Sequence, residues 1–317
     1  FSDYNFEGSG LSVLIDTLAY NTHYLGMNAN MLSNEMFLDT ATLRSSVVSH
    51  AKKLNYTPRS ARAAEAFVNV QVNNSNLSSV TIDKGTKFTT SINNNTYGFV
   101  VNESRTVQPT NGVLKFENLP IYEGTLVSAK YTVDFNNPEK KYVITSDRAD
   151  TTTLTVTVQT SSSDATTEVY NLAKDISTVN ATDKVYFLQE NEDGRFEVYF
   201  GDNVIGKKLI NGNIVILEYI VTNKTEANGA TTFSGTAIGG VSNITIETMQ
   251  AASGGAEPET IESIKYYAPL NYSAQRRAVT TSDYKSILPE IYPNVKSVQV
   301  WGGEDNDPPI YGQVYIA

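Results

Sequence analysis

The apolar residues of this 317-residue chain change their period at Glu65. Before it they recur at helical spacing, and after it they alternate. One backbone cannot present the same face to a core every 3.6 residues and every second residue, so the chain is committed to a helical start and a β-rich body. Residues 8–32 read as one amphipathic helix, because Leu11, Leu14, Ile15, Leu18, Thr22 and Leu25 follow the i, i+3, i+4, i+7 rule. Gly8-Ser9 supplies its start, with Ser9 as N-cap. A second helix is expected over 39–54, capped by Thr40, with Leu43, Val47, Ala51 and Leu54 along one stripe. Asn55 suits the left-handed position beyond its end, and Pro58 prevents continuation. Met27, Met31 and Met36 cluster on the first helix and the following turn, where core or helix–helix packing is the expectation.

After Glu65 the pattern is β. Phe67, Val70 and Val72 open a strand, 77–82 and 87–89 follow, and Leu154, Val156 and Val158 alternate strictly with threonines. The polar stretch 145–167 could be a linker, but the alternating strand inside it favours an ordered edge hairpin. Lys184 to Gln189 and Arg195 to Phe200 flank a five-residue connection ending in Asp-Gly. Many short strands with polar turns predict an antiparallel sandwich or barrel-like unit. Beyond 250 the helical period returns. Ser253 to Pro258 forms a loop into a short helix with Pro258 at its first position and Pro269 at its end. A second helix follows Thr280, with Asp283 at N3 and Tyr284, Ile287 and Leu288 as its apolar face. Residues 295–300 and 312–316 read as strands. The fold class is therefore α+β: a helical segment over 1–65, a β-rich antiparallel sandwich or barrel-like middle over 66–250, and a small α/β unit over 251–317. The last strand runs to Ala317 and the chain starts at Phe1, which reads as a segment of a longer protein.

Composition narrows the chemistry. With no cysteine and only His23 and His50, thiolate–metal sites, disulfides and cysteine nucleophiles are excluded, and neither histidine has a ligand spacing. Both are read as structural, and no cofactor is expected. The acidic excess, 24 − 34 = −10, argues against a nucleic-acid partner. The longest apolar run, Ile214 to Val221, is eight residues, so no membrane helix is expected. Gly201-Asp202-Asn203-Val204-Ile205-Gly206-Lys207-Lys208 imitates a phosphate loop but lacks the final hydroxyl, and a strand rather than a helix follows it, so a glycine-assisted turn between strands is expected. Glu304, Asp305 and Asp307 do not meet a calcium-loop pattern and read as a solvated acidic loop. Residues 40–64 hold Arg44, Lys52, Lys53, Arg59 and Arg62 and no acid. They suit either an acidic partner or, more ordinarily, a solvated helix face. Leu11, Leu14, Ile15, Leu18, Leu43 and Val47, with Arg44, Lys52 and Lys53, are the candidate partner interface.

Two stretches resemble a known family. Residues 194–206, with Gly201, Asp202 and Gly206, are similar to the Gly-Arg…Phe-Gly-Asp-Gly…Gly signature of baseplate J-like proteins of contractile phage tails. Gly254, Gly255, Ala256, Glu257 and Pro258, then Ala268-Pro269, Arg277 to Thr280, Asp283-Tyr284 and Pro293 to Val295, resemble its second block. The opening, Phe6 to Leu11 with Asp16 to Asn21 and Leu43 to Val47, is similar to T4-like baseplate wedge subunits. Asn203 stands where the family has Gly, and Asn tolerates the left-handed backbone such a turn needs. The resemblance implies a non-enzymatic virion subunit in the wedge and ring around the tail hub. It implies partners in a second copy of itself, other wedge subunits and hub or sheath-proximal proteins, and a part in coupling baseplate opening to sheath contraction. The runner-up, suggested by tyrosine-rich β-structure, is a carbohydrate-binding or adhesin module. A glycoside hydrolase would need paired carboxylates across a cleft, which the sequence does not place.

Overall fold

The computed structural model describes residues 10–73, 77–110, 113–137, 140–173, 176–275, 277–291 and 297–317. The readings at Gly8-Ser9 and Pro293 to Val295 lie outside the described residues. The elements in chain order are α1 (Gly10–Glu35), α2 (Arg44–Lys53), β1 (Glu65–Val72), β2 (Val80–Ile82), β3 (Lys87–Ile92), β4 (Asn95–Val100), β5 (Arg105–Val107) and β6 (Leu114–Glu123). There follow β7 (Thr125–Thr132), β8 (Tyr142–Val143), β9 (Ala149–Gln159), β10 (Thr167–Leu172), β11 (Val185–Glu190), β12 (Phe196–Phe200), β13 (Ile214–Val221), β14 (Ser234–Gly235) and β15 (Ile244–Ser253). The chain closes with α3 (Ile261–Ala274), α4 (Thr281–Ile291), β16 (Val300–Gly302) and β17 (Val314–Ile316). This is the expected order: helices, a β-rich middle, and a small α/β unit.

The β-rich middle has two cores rather than one. The first sheet, ordered β14-β3-β4-β6-β1-β15, buries Val68, Val70, Phe88, Phe99, Phe116 and Ile121, and β14 comes alongside β15 so that the sheet nearly closes. The second, ordered β7-β13-β9-β10-β11-β12-β8, buries Val156, Val158, Tyr186, Val215, Leu217 and Tyr219. Its strands all fall between Thr125 and Val221, so it is an insertion between β6 and the return strands of the first sheet. The pairs within both sheets are antiparallel except β10 and β11, which run parallel.

Buried carboxylates fasten the crossing point. Glu123 is fully buried and accepts from Thr222 Oγ1 (2.6 Å), Asn223 N (2.8 Å) and Asn223 Nδ2 (2.8 Å). Asp150 accepts from Ala63 N (2.8 Å) and from Thr152 N and Oγ1 (2.8 and 2.6 Å), while burial pushes its carboxyl up. Between β6 and β7, Gly124 (φ +124°) leaves no room for a side chain, since a Cβ would lie 2.2 Å from Val221 O. Chain continuity alone would leave the two sheets hinged; these fixed acceptors hold them in one geometry.

Several local expectations are corrected. The hairpin in 145–167 lies inside the second sheet, because β9 is covered on one side by β13 and on the other by β10. The loop after β12 does not reverse the chain into a neighbour: β13 pairs with β7 and β9, so the loop is a crossover. Only Val80 to Ile82 of 77–82 is a strand, and β16 begins at Val300, with residues 297–299 outside it. α3 starts at Ile261, capped by Thr260, so Pro258 precedes the helix instead of opening it. Nor does Pro269 end α3. Burial of Ile264, Ala268 and Ala274 carries the helix through it to a left-handed Gln275 (φ 44°). The capping of α4 is as read: Thr280 Oγ1 accepts from Asp283 N (3.3 Å), and Asp283 Oδ2 accepts from Thr280 N (2.7 Å).

Candidate functional site

Among the described residues α1 is left almost bare. Of its 26 residues only Ser12 is buried, while Leu11, Leu14, Ile15, Leu18 and Leu25 are all more than 40% exposed. Its hydroxyls are satisfied within the helix, Thr17 and Thr22 donating to Val13 O and Leu18 O (both 2.8 Å). At 100° per residue, Leu11, Leu14, Ile15, Leu18, Leu25 and Leu32 share one side, and Val13, Tyr20, Tyr24, Met27 and Met31 the opposite side. Met27, Met31 and Met36 are therefore not in a core of this chain, which leaves helix–helix packing of the two alternatives expected for them. A helix apolar on two opposed faces is fully satisfied only with neighbours on both.

α1 is anchored at its C-terminal end. The Glu35 carboxylate accepts from Thr42 N (2.8 Å), Thr42 Oγ1 (2.7 Å) and Leu43 N (3.3 Å), at the N-terminus of α2. The Thr42 amide, then the Ser46 and Thr42 hydroxyls, pull its pKa from 4.5 down to about 2. His50 Nε2 lies 2.9 Å from Glu35 O, the structural role expected of it. Thr40 does not cap α2. Its hydroxyl donates to Asn34 O (2.6 Å), and the helix begins at Arg44 after an N-cap Leu43 without a side-chain bond. A folded-state pKa below the unfolded one gives stability that is complete above about pH 4.5 and is lost as pH falls toward 2. We expect amide exchange at Thr42 and Leu43 to lose protection through that window relative to intrinsic rates. Glu35→Gln should show no such pH-dependent step.

Two of the five basic residues of 40–64, Arg44 and Arg59, find acids in their own chain. Arg44 donates from Nε and Nη2 to Glu190 (2.6 and 2.9 Å) and from Nη1 to Glu259 O (2.5 Å). The Glu259 carboxylate is fully buried and accepts from Tyr56 OH (2.8 and 2.9 Å), Arg59 N (3.0 Å) and Ser263 Oγ (2.5 Å). Val47, placed with the partner interface from sequence, is fully buried with Ala51 against Ile264 and Ala268 of α3. Its stripe therefore faces the chain's own helix. Leu43, Lys52 and Lys53 are exposed. Neither Glu190 nor Glu259 was singled out from sequence. The one signal for them was a run of five cations with no local acid to balance it.

Where α2 meets the second sheet, a cleft of about 700 Å³ opens. Phe187, Leu188 and Phe200 line it together with Lys52, Arg59 and Arg62. The Gly201–Gly206 loop forms part of its rim. A Cβ on Gly201 would lie 2.2 Å from Gly206 O, Asn203 adopts φ 74°, and Asp202 accepts from Val204 N (2.9 Å) and Ile205 N (3.0 Å). Those amides hold its carboxyl below the usual range. The loop is a self-bonded turn, and the next element after it is the strand β13 rather than a helix. Gly254 (φ 89°) and Gly255 bring the chain against Lys224–Asn228. Asn228 exchanges two 2.9 Å bonds with the Gly255 backbone, and a Cβ there would lie 2.1 Å from Lys224 O. Gly255→Ala is expected to cost about 3 kcal/mol in urea unfolding, as overpacking against backbone does. An unchanged midpoint would contradict that close approach. Among the described residues no three His, Asp or Glu side chains gather to hold a metal, and no helix is long and apolar enough to cross a membrane.

An uncovered two-faced helix fixed to a braced β body defines a structural subunit of an assembly. Residues 1–56 match the family described as baseplate wedge protein gp6-like, helical domain, and residues 280–317 match baseplate structural protein gp6, C-terminal domain I. The baseplate wedge protein gp6 of Enterobacteria phage T4 is 30% identical over 326 residues, covering 93% of this chain and 48% of that protein. The chain is a relative of the gp6 baseplate wedge proteins, and it spans about half the length of this curated relative. A chain of the anti-feeding prophage (AFP) baseplate, from a 6-fold symmetrised cryo-EM structure, aligns with a TM-score of 0.31 and 14% identity over 93% of this chain and 55% of that one. That likeness is too slight to argue from.

Proposed function

We propose that this chain is a non-enzymatic structural subunit of a phage contractile-tail baseplate wedge. The observation that carries the reading is α1, bare on two opposed apolar faces in a chain related to wedge proteins. Its Leu11, Leu14, Ile15 and Leu18 face packs against a helix of a second copy, and its Tyr20, Tyr24, Met27 and Met31 face against another wedge subunit, so that α1 lies inside a bundle. Leu43 and Lys53 sit at the edge of that contact. Residues 1–65 serve assembly, 251–317 dock, and the two sheets fill the ring around the tail hub. With the crossing point braced by Glu123 and Asp150, the body moves as a unit when the baseplate opens, which suits coupling to sheath contraction through hub and sheath-proximal neighbours. The subunit assembles in the host bacterial cytoplasm and ends in the virion tail. Electron microscopy of purified tails carrying a labelled copy of this chain tests the reading. Label at the baseplate is expected; label elsewhere in the particle, or none, overturns it.

A further inference from the structure

Among the described residues the Arg62 guanidinium makes no hydrogen bond or ion pair, although it is half-buried in the cleft beneath α2. The Asp150 and Glu65 carboxylates act on it electrostatically without bonding it: the Asp150 oxygens are taken by Ala63 and Thr152, and Glu65 accepts from the Tyr122 hydroxyl. Lys52, in the same cleft, pairs with no carboxylate among the described residues and lies 5.9 Å from the centroid of the Tyr199 ring. Arg59 reaches Glu259 only at 3.5 Å. Three cations thus open on one cleft in a chain of net charge −10. A half-buried guanidinium without an acceptor is matched by a carboxylate. The apolar floor of Phe187, Leu188 and Phe200 is matched by aromatic rings. The volume lies in the range of binding clefts, roughly 300–1,000 Å³.

Residues 1–9 carry that chemistry, with Asp3 and Glu7 set among Phe1, Tyr4 and Phe6. Nine residues span at most about 30 Å. α1, at 26 residues, is about 39 Å long. The segment cannot retrace α1 to the cleft beside Val48 and Lys52 in its own chain. A second copy lying antiparallel along α1 brings the segment to that end. Antiparallel pairing also separates the two acidic bodies: residues 1–65 carry 5 − 6 = −1, leaving −9 on residues 66–317. We propose that the cleft receives residues 1–9 of a second copy, with a carboxylate of Asp3 or Glu7 on Arg62 and Lys52. The inference rests on the reading that α1 pairs with a second copy.

The chain has no cysteine, so introduced ones report contacts without background. Full-chain Ser2→Cys and Thr57→Cys variants, mixed and air-oxidised, are expected to form the disulfide heterodimer about tenfold above Ser2→Cys mixed with Thr96→Cys on β4. Lys52→Ala in the Thr57→Cys partner should lower that yield severalfold, Lys52→Ala with Arg62→Ala should bring it to the control level, and Lys130→Ala, at an exposed position of β7 away from the cleft, should leave it unchanged. Heterodimer no higher than the Thr96 control, while sedimentation shows a dimer, overturns the cleft assignment and leaves the helix pairing standing. Closure of a Ser2→Cys/Thr57→Cys chain on itself at high dilution also overturns it. A chain that stays monomeric in sedimentation overturns the helix pairing as well.

Discussion

Leu14→Asp and Leu18→Asp are expected to abolish association through α1 while leaving the unfolding midpoint of the isolated chain unchanged. Both side chains are more than half exposed and touch no core, so a carboxylate there meets water in the monomer. In a bundle the same carboxylate is desolvated. Each substitution forfeits roughly 1.5–3 kcal/mol of leucine burial and adds a cost of similar size or larger for an unpaired buried charge. About 4 kcal/mol is a thousandfold in Kd. Asn30→Asp, between the two apolar faces, adds the same charge without entering either contact and serves as the control. Met27→Asp and Met31→Asp probe the opposite face and should release a different neighbour. Native mass spectrometry of co-purified complexes reads stoichiometry and partner identity together. Wild-type complexes from the leucine variants, or a fall in thermal midpoint matching the loss of association, would rule out α1 as the docking element.

The period change at Glu65 made the order of helices and strands legible, because periodicity reports which face is apolar. It does not report what that face touches. The spacing of Leu11, Leu14 and Leu18 therefore gave a correct helix, while for the methionines beside them it could not decide between a core and helix–helix packing, and this chain supplies no core there. The two-sheet organisation was not legible for a related reason. β7 to β13 alternate in the same way as β1 to β6, and only the buried acceptors Glu123 and Asp150 mark where one core ends and the next begins. Pro258 and Pro269 misled because local propensity was outweighed by burial of Ile264, Ala268 and Ala274. The glycine motifs were legible as turns, and their geometry explains them: Gly201 and Gly255 each sit where a Cβ would strike a carbonyl oxygen. The acids that answer Arg44 and Arg59 lie 146 and 200 residues away, beyond any local pattern.

The second large effect falls on that long-range clasp. Glu259→Ala removes the acceptor shared by the Arg59 amide, the Tyr56 hydroxyl and the Ser263 hydroxyl, in a site where the carboxylate is fully buried. Groups left without acceptors cost about 1–3 kcal/mol each and do not add fully, so a loss of about 3–5 kcal/mol is expected in urea unfolding. Glu259→Gln keeps the shape and one carbonyl acceptor and should lose less than half as much. Arg44→Met attacks the neighbouring contact, stranding the buried Glu190 carboxylate at a cost of about 3 kcal/mol, moderated because Arg44 is itself partly open to water. Because Arg44 also binds Glu259 O, the Arg44→Met and Glu259→Ala effects should be non-additive. Full additivity would show that the two contacts are independent. Val47 and Ala51 of α2 rest on Ile264 and Ala268 of α3 beside this clasp, so loosening it frees the base of α1 from the β body. Assembly should then fail in the order opposite to the α1 variants: stability falls first, and association follows only as the folded fraction declines. A Glu259→Ala chain with a wild-type midpoint but no association would mean that residue 259 itself meets a partner.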